Sequence, residues 1–253
     1  MITDEMIKKS KKLNNPKGFY VIDDNYILIR DDLEESWIEK TKRLRARGVN
    51  YCGPIELKKV DNQTYALEHR ARGKMLDITS TISGKDDYFH AFEEYMNNLR
   101  LLYNAPQEQY DKFFDDIDKM AEEGLKPDVC TYGNLFYDPE VGFSFIDVYP
   151  NVQARRLSVN SIFDILLNNK FRIGGVSLLP EELGKEYNLM MRELYRKITA
   201  GLIKFGYPEE EIKRYVDRAV HSFSENECVC QGNIQETFNK RLQEVNSQNF
   251  LTL

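Results

Sequence analysis

Short apolar runs and longer helical stripes succeed one another along this chain, and their order predicts the architecture. Residues 18–22 and 26–30 are rich in aromatic and branched side chains and are joined by Asp23-Asp24-Asn25, which predicts a β-hairpin. Over 33–47, Leu33, Trp37, Thr41 and Leu44 recur at helical spacing, with Glu34, Glu35 and Glu39 early and Lys and Arg late, an order that suits the helix dipole. Tyr65-Ala66-Leu67 opens a buried strand that breaks into a polar, glycine-containing linker. Two helices are expected over 88–103 and 107–123. The second turns Tyr110, Phe113, Phe114, Ile117 and Met120 inward and stops at Gly124. A second hairpin follows, with strands over 135–137 and 143–146 around a turn at 138–141.

Beyond Pro150 the reading is helical. Ser158 caps a helix over 159–167, and Pro180 opens another to about 205, with Leu189, Met190, Leu194, Ile198 and Leu202 in register. Pro208 opens a third, carrying Ile212, Tyr215, Val216 and Ala219. Strands gathered early and helices late make an α+β protein, with no internal repeat.

Length and composition fit an enzyme of ordinary size. A chain of 253 residues can bury a substantial core, and 42% hydrophobic with 30% charged residues describes a folded protein with a well-solvated surface. A net charge of −6 argues against a nonspecific nucleic-acid binder. The basic cluster at Lys8, Lys9, Lys11 and Lys12 reads as a mobile N-terminal arm, and the one from Lys40 to Arg47 as the solvent side of a helix. Cys52 and Cys130 are isolated, and Cys228-Val-Cys230 is too tight for the usual metal-ligand spacing, so the four cysteines read as reduced thiols. His69, His90 and His221 show no spacing that suggests a metal site or triad. Neither a secretory signal nor an apolar span long enough for a membrane is evident, which gives a cytoplasmic expectation with no membrane partner.

Candidate chemistry concentrates between Lys126 and Asp147. Asn134 and Asp147 fall at the two mouths of the second hairpin, where both can face one cleft, and Asp128 precedes them in an irregular loop. Oxygen ligands of this kind, completed by phosphate oxygens, suit a hard cation such as Mg²⁺. Thirteen residues separate Asn134 from Asp147. This layout resembles the catalytic and metal-binding segment of the protein-kinase-like superfamily, and the resemblance covers roughly residues 14–167. It implies a bilobal fold: a reduced, strand-rich N-lobe over 1–72 and a mostly helical C-lobe over 73–253, divided in the hinge near Arg72.

That resemblance implies ATP and Mg²⁺ as cofactors, with Asn134 and Asp147 holding the metal and Asp128 as the catalytic base. Asp128 stands six residues before Asn134 where the family has five, and Val129 occupies the strict position. Arg30 takes the place of the strand-three Lys that grips the phosphates and pairs with a helix glutamate, Glu35 ahead of Glu34. Leu67 would form the back wall of the nucleotide pocket, with Glu68 offering its carbonyl and Arg70 its amide to the adenine edge. No glycine-rich phosphate loop is present, and Asn14-Asn15-Pro16-Lys17-Gly18 stands in its place.

Three functions follow. The first is an ATP-dependent kinase acting on a protein hydroxyl. The second is a small-molecule kinase of the aminoglycoside or choline type, whose His-Gly-Asp-like motif is absent here. The third is a pseudokinase serving as a nucleotide- or protein-binding module, suggested by Val129, Arg30 and the missing glycine loop.

Overall fold

The computed structural model describes residues 1–11, 20–22, 25–30, 33–76, 87–128, 134–150, 156–167 and 181–226. The fold is mixed α and β. Its elements are, in order, α1 (Asp4–Lys11), β1 (Tyr20–Ile22), β2 (Asn25–Ile29), α2 (Ser36–Ala46), β3 (Pro54–Val60), β4 (Gln63–His69), β5 (Lys74–Met75), α3 (Asp87–Asn104), α4 (Gln107–Glu122), β6 (Leu125–Pro127), β7 (Leu135–Asp138), β8 (Gly142–Phe145), β9 (Val148–Pro150), α5 (Val159–Leu167), α6 (Glu181–Lys204) and α7 (Glu209–Asn226). Two compact units divide the chain. One comprises residues 1–76 and 112–157, the other 77–111 and 158–253. The second hairpin therefore groups with the N-terminal sheet, and not with the late helices as a division at Arg72 would have it.

The first unit is built on a four-stranded antiparallel sheet in the order β1-β2-β4-β3. Tyr20 pairs with Ile27 and Ile22 with Asn25, so the expected first hairpin forms, and its strand β2 ends one residue before Arg30. The β3–β4 hairpin turns at Asp61 and Asn62, whose φ angles of +50° and +63° are the left-handed pair that a type I′ turn requires. In place of a mobile arm, residues 4–11 form α1. Ile2 and Ile7 bury against Ile27 and Tyr65, and both carboxylate oxygens of Glu56 accept from the Ile2 amide at 3.0 Å. Ile7 on the helix and Ile2 just before it, with Met6 packed against them, hold it there.

Helix α2 buries Trp37, Thr41 and Leu44 as expected and ends in a Schellman motif. The Gly48 amide donates to Arg45 and the Val49 amide to Leu44. The chain then runs beside β8. Tyr51 bridges Phe145 in parallel, and Asn50 donates its side-chain amide to the carbonyls of Val141 (3.2 Å) and Phe143 (3.1 Å). Helix α4 packs its aromatic face on the same hairpin, with the Phe113 ring 5.0 Å from Phe143 and 5.5 Å from Phe145.

Aromatic contacts also hold the second unit. Phe163 of α5 stacks on Tyr215 of α7 at 4.3 Å and on Tyr195 of α6 at 5.0 Å. Lys197 of α6, 8% exposed, donates to the carbonyls of Tyr103 (2.5 Å) and Ala105 (2.7 Å) and so closes the C-terminal end of α3. Burial draws its pKa down. Leu189, expected inside, is 60% exposed. The stripe that α6 buries runs through Tyr187, Met190, Met191, Leu194, Ile198 and Leu202, on the other side of the helix. Among the described residues no helix is long and apolar enough to cross a membrane.

Candidate active site

Two short ladders meet at Asp147. Strands β7 and β8 pair from Leu135↔Phe145 to Asp138↔Gly142, and the Ile146 amide extends that ladder by donating to the Asn134 carbonyl at 3.0 Å. Strands β6 and β9 pair from Leu125↔Pro150 to Pro127↔Val148, and the Asp128 amide extends theirs by donating to the Asp147 carbonyl at 2.9 Å. Asp147 is thus the last residue between β8 and β9, held on one side by Asn134 through the hairpin mouth and on the other by Asp128. The Asn134 side-chain amide also donates to the Asp128 carbonyl, at 3.4 Å. Asp128, Asn134 and Asp147 come together through backbone pairing, and all three are half-buried. Val129 lies outside the described residues.

The hairpin turn is separately secured. Asp138 Oδ1 accepts from the amides of Glu140 (2.8 Å) and Val141 (3.1 Å), an Asx turn that keeps its carboxylate busy locally.

The sheet delivers a cation to this junction. Arg30 Nη1 donates to Asp147 Oδ1 at 2.9 Å and to Glu68 Oε1 at 3.2 Å, and its main-chain amide bonds the Thr64 carbonyl at 2.8 Å. Strand alternation explains the pairing. Ile27 faces Leu67 and Ile29 faces Tyr65 across β2 and β4, and these side chains belong to the face packed against α1. Arg30 and Glu68 belong to the opposite face, along with the partners Tyr26↔Glu68 and Leu28↔Ala66. Leu67 consequently faces α1 and does not stand beside Arg30. Nor does Glu35 pair with Arg30. It sits exposed at the N-cap of α2, while the Arg30 guanidinium turns to Glu68 and Asp147. Arg70 is exposed and lies over the Tyr26 ring at 6.0 Å, while Gly18 is outside the described residues.

The surroundings are of low polarity and negatively charged. Burial, reinforced by the nearby Glu68 carboxylate, raises the Tyr51 hydroxyl pKa far above its usual value. The Cys52 thiol is pushed up to about 12, again chiefly by burial, with Glu68 adding to it and Arg45 opposing. Neither group is poised to act as a nucleophile near neutral pH. His69 has its pKa lowered by burial and by Arg45.

Among the described residues no three His, Cys, Asp or Glu side chains cluster as a self-sufficient metal site. Asn134 and Asp147 do fit a hard cation that brings its own ligands. The amide oxygen of Asn134 and Oδ2 of Asp147 remain available beside the contacts above, and Mg²⁺ is commonly held by one or two such oxygens together with water and phosphate.

The carboxylate of Glu68 is the partner of Arg30 that sequence reasoning missed. The signal was the phase of alternation: with Ile27, Ile29, Tyr65 and Leu67 on one face, Arg30 and Glu68 must share the other. Comparisons with protein-family models, with curated proteins and with solved structures find no match.

Proposed function

We propose that this site binds ATP together with Mg²⁺ and transfers the γ-phosphoryl group to the hydroxyl of a protein substrate, on a divergent protein-kinase-like scaffold. The observation that carries the reading is the meeting of Asp128, Asn134 and Asp147 at one junction, with Arg30 brought onto Asp147 from the sheet. Phosphoryl transfer asks a protein mainly to position groups and stabilise charge. Asn134 and Asp147 would hold Mg²⁺, which neutralises the phosphate chain. Arg30 grips phosphate oxygens as a planar fork. Asp128 orients the acceptor hydroxyl and takes its proton as the new O–P bond forms and the bond to the β–γ bridging oxygen breaks, releasing ADP. The adenine edge would meet the main chain just beyond Glu68, where Ala71 is 5% exposed and its amide bonds no described residue.

One observation favours a pseudokinase. The Arg30–Asp147 bond already neutralises the proposed metal ligand, which suits a module that binds nucleotide without metal. Metal dependence separates the two readings. Thermal unfolding with ATP and Mg²⁺, against ATP with EDTA, should show stabilisation only in the first. Asp147→Asn should abolish that metal-dependent shift, and Asp138→Asn, confined to its Asx turn, should leave it intact. Equal stabilisation of the parent with Mg²⁺ and with EDTA would establish the binding module, and no shift in either would remove the nucleotide reading.

A further inference from the structure

Building on the proposal that the site takes ATP with Mg²⁺, we propose that Glu68 is the positioning residue for Arg30. It stands in for an acid on helix α2, and Asp147 holds the same guanidinium only until a cation takes its carboxylate. One nitrogen of Arg30 serves both acids, at 3.2 Å and 2.9 Å. The acids differ in their freedom. Glu68 is 4% exposed on its side chain and sits in β4, flanked by β2 and β3 with Tyr26 and Pro54 as its cross-strand partners. A carboxylate buried so deeply needs a permanent cation, because removing the partner strands a desolvated charge. Asp147 is 35% exposed at the junction of two ladders, where exchanging Arg30 for a divalent cation costs far less.

Helix α2 offers no competing partner. Glu34 and Glu35 are exposed, and exposed Glu39 is paired with Lys42 at 2.7 Å. The sheet thus holds Arg30 through Thr64 and Glu68, and moving α2 would break neither contact. With nucleotide bound, Arg30 stays on Glu68, the Nη1 donor released by Asp147 turns to the phosphates, and the Asp147 carboxylate turns to the metal.

Titration calorimetry on the full chain tests this, with ATP plus Mg²⁺ and with adenosine as ligands. Glu68→Gln should weaken ATP by about ten-fold or more while leaving adenosine within about two-fold. Glu34→Gln should change neither. Added to Arg30→Ala, Glu68→Gln should weaken ATP no further, since it acts through Arg30. Should Glu68→Gln fail to fold, Glu68→Asp keeps the charge but withdraws it by one methylene, and the same selective loss is expected. Unchanged ATP affinity, equal loss of ATP and adenosine, or additive losses in the double variant would each make Glu68 a merely structural residue while leaving the nucleotide reading intact. A folded parent that binds neither ligand would overturn both together.

Discussion

Gly48 and Gly73 share a backbone conformation, φ near +80° and +83°, yet differ in what a side chain would meet. A Cβ at Gly48 would find nothing within 4 Å, whereas one at Gly73 would lie 2.1 Å from the Tyr137 carbonyl oxygen. The close approach at Gly73 lets the chain turn out of β4 so that Lys74 pairs with Tyr137 and Met75 with Phe136. Gly48→Ala should cost only the left-handed penalty, about 1 kcal/mol. Gly73→Ala should cost about 2–4 kcal/mol, because the backbone of β7 has to give as well. Urea midpoints measure the difference, and equal losses would mean that the contact with β7 is readily relieved. At this scale the sequence was partly legible. The polar residues of the junction were readable from spacing, but the partner of Arg30 was not. Which glutamate reaches a guanidinium depends on strand phase, and a one-residue slip exchanges Leu67 for Glu68.

Elements with strong local punctuation were readable, and those defined by distant partners were not. The β7–β8 hairpin, α2, α4 and α5 follow from alternation, helical stripes and caps. The β3–β4 hairpin carried its signal in Asp61-Asn62 but lacks clean alternation across Pro54–Val60, and β6 and β9 are three-residue strands that exist only because they pair with each other. Helix α1 was hidden by its lysines, which masked the two isoleucines that dock it. Helix α4 carries an internal contact of consequence. Its Asp116 is 1% exposed, accepts from Lys112 at 2.7 and 2.8 Å, and takes the Asn50 amide at 3.4 Å, which fixes the segment leading to Tyr51 and Cys52. Burial raises its pKa, and the Lys112 contacts only partly oppose that. The folded carboxyl thus binds its proton more tightly than the unfolded one. Its contribution to stability is complete below the ordinary aspartate range and is lost as pH rises through the folded value. Asparagine has no such dependence. The stability of Asp116→Asn relative to the parent should therefore increase as pH climbs out of the aspartate range, measured as the difference in urea midpoints across a pH series. A difference that stays flat or shrinks would show that Lys112 outweighs burial.

For the whole molecule, the order of apolar runs and helical stripes disclosed the α+β class, and composition a net charge of −6, but neither showed the way the chain divides. The kinase-like resemblance implied a cut near Arg72, whereas contacts join residues 1–76 to 112–157, because the segment around Tyr51 pairs with β8 and α4 packs on the same hairpin. Every residue proposed to meet the nucleotide, the metal or the acceptor hydroxyl, from Arg30 through Ala71 to Asp128, Asn134 and Asp147, belongs to that one unit. A ligand stabilises whatever must unfold to release it, by about 2.7 kcal/mol at a hundred-fold excess over its dissociation constant. Saturating ATP with Mg²⁺ should therefore slow amide exchange across β2, β4 and the β6–β9 region of the first unit. Segments of α6 and α7 in the second should exchange as they do without ligand. Segment-resolved hydrogen exchange with mass spectrometry reads both at once. Protection gained equally in the two units would mean that they open as one cooperative body. Protection confined to α6 and α7 would place the nucleotide away from Arg30 and Asp147 altogether.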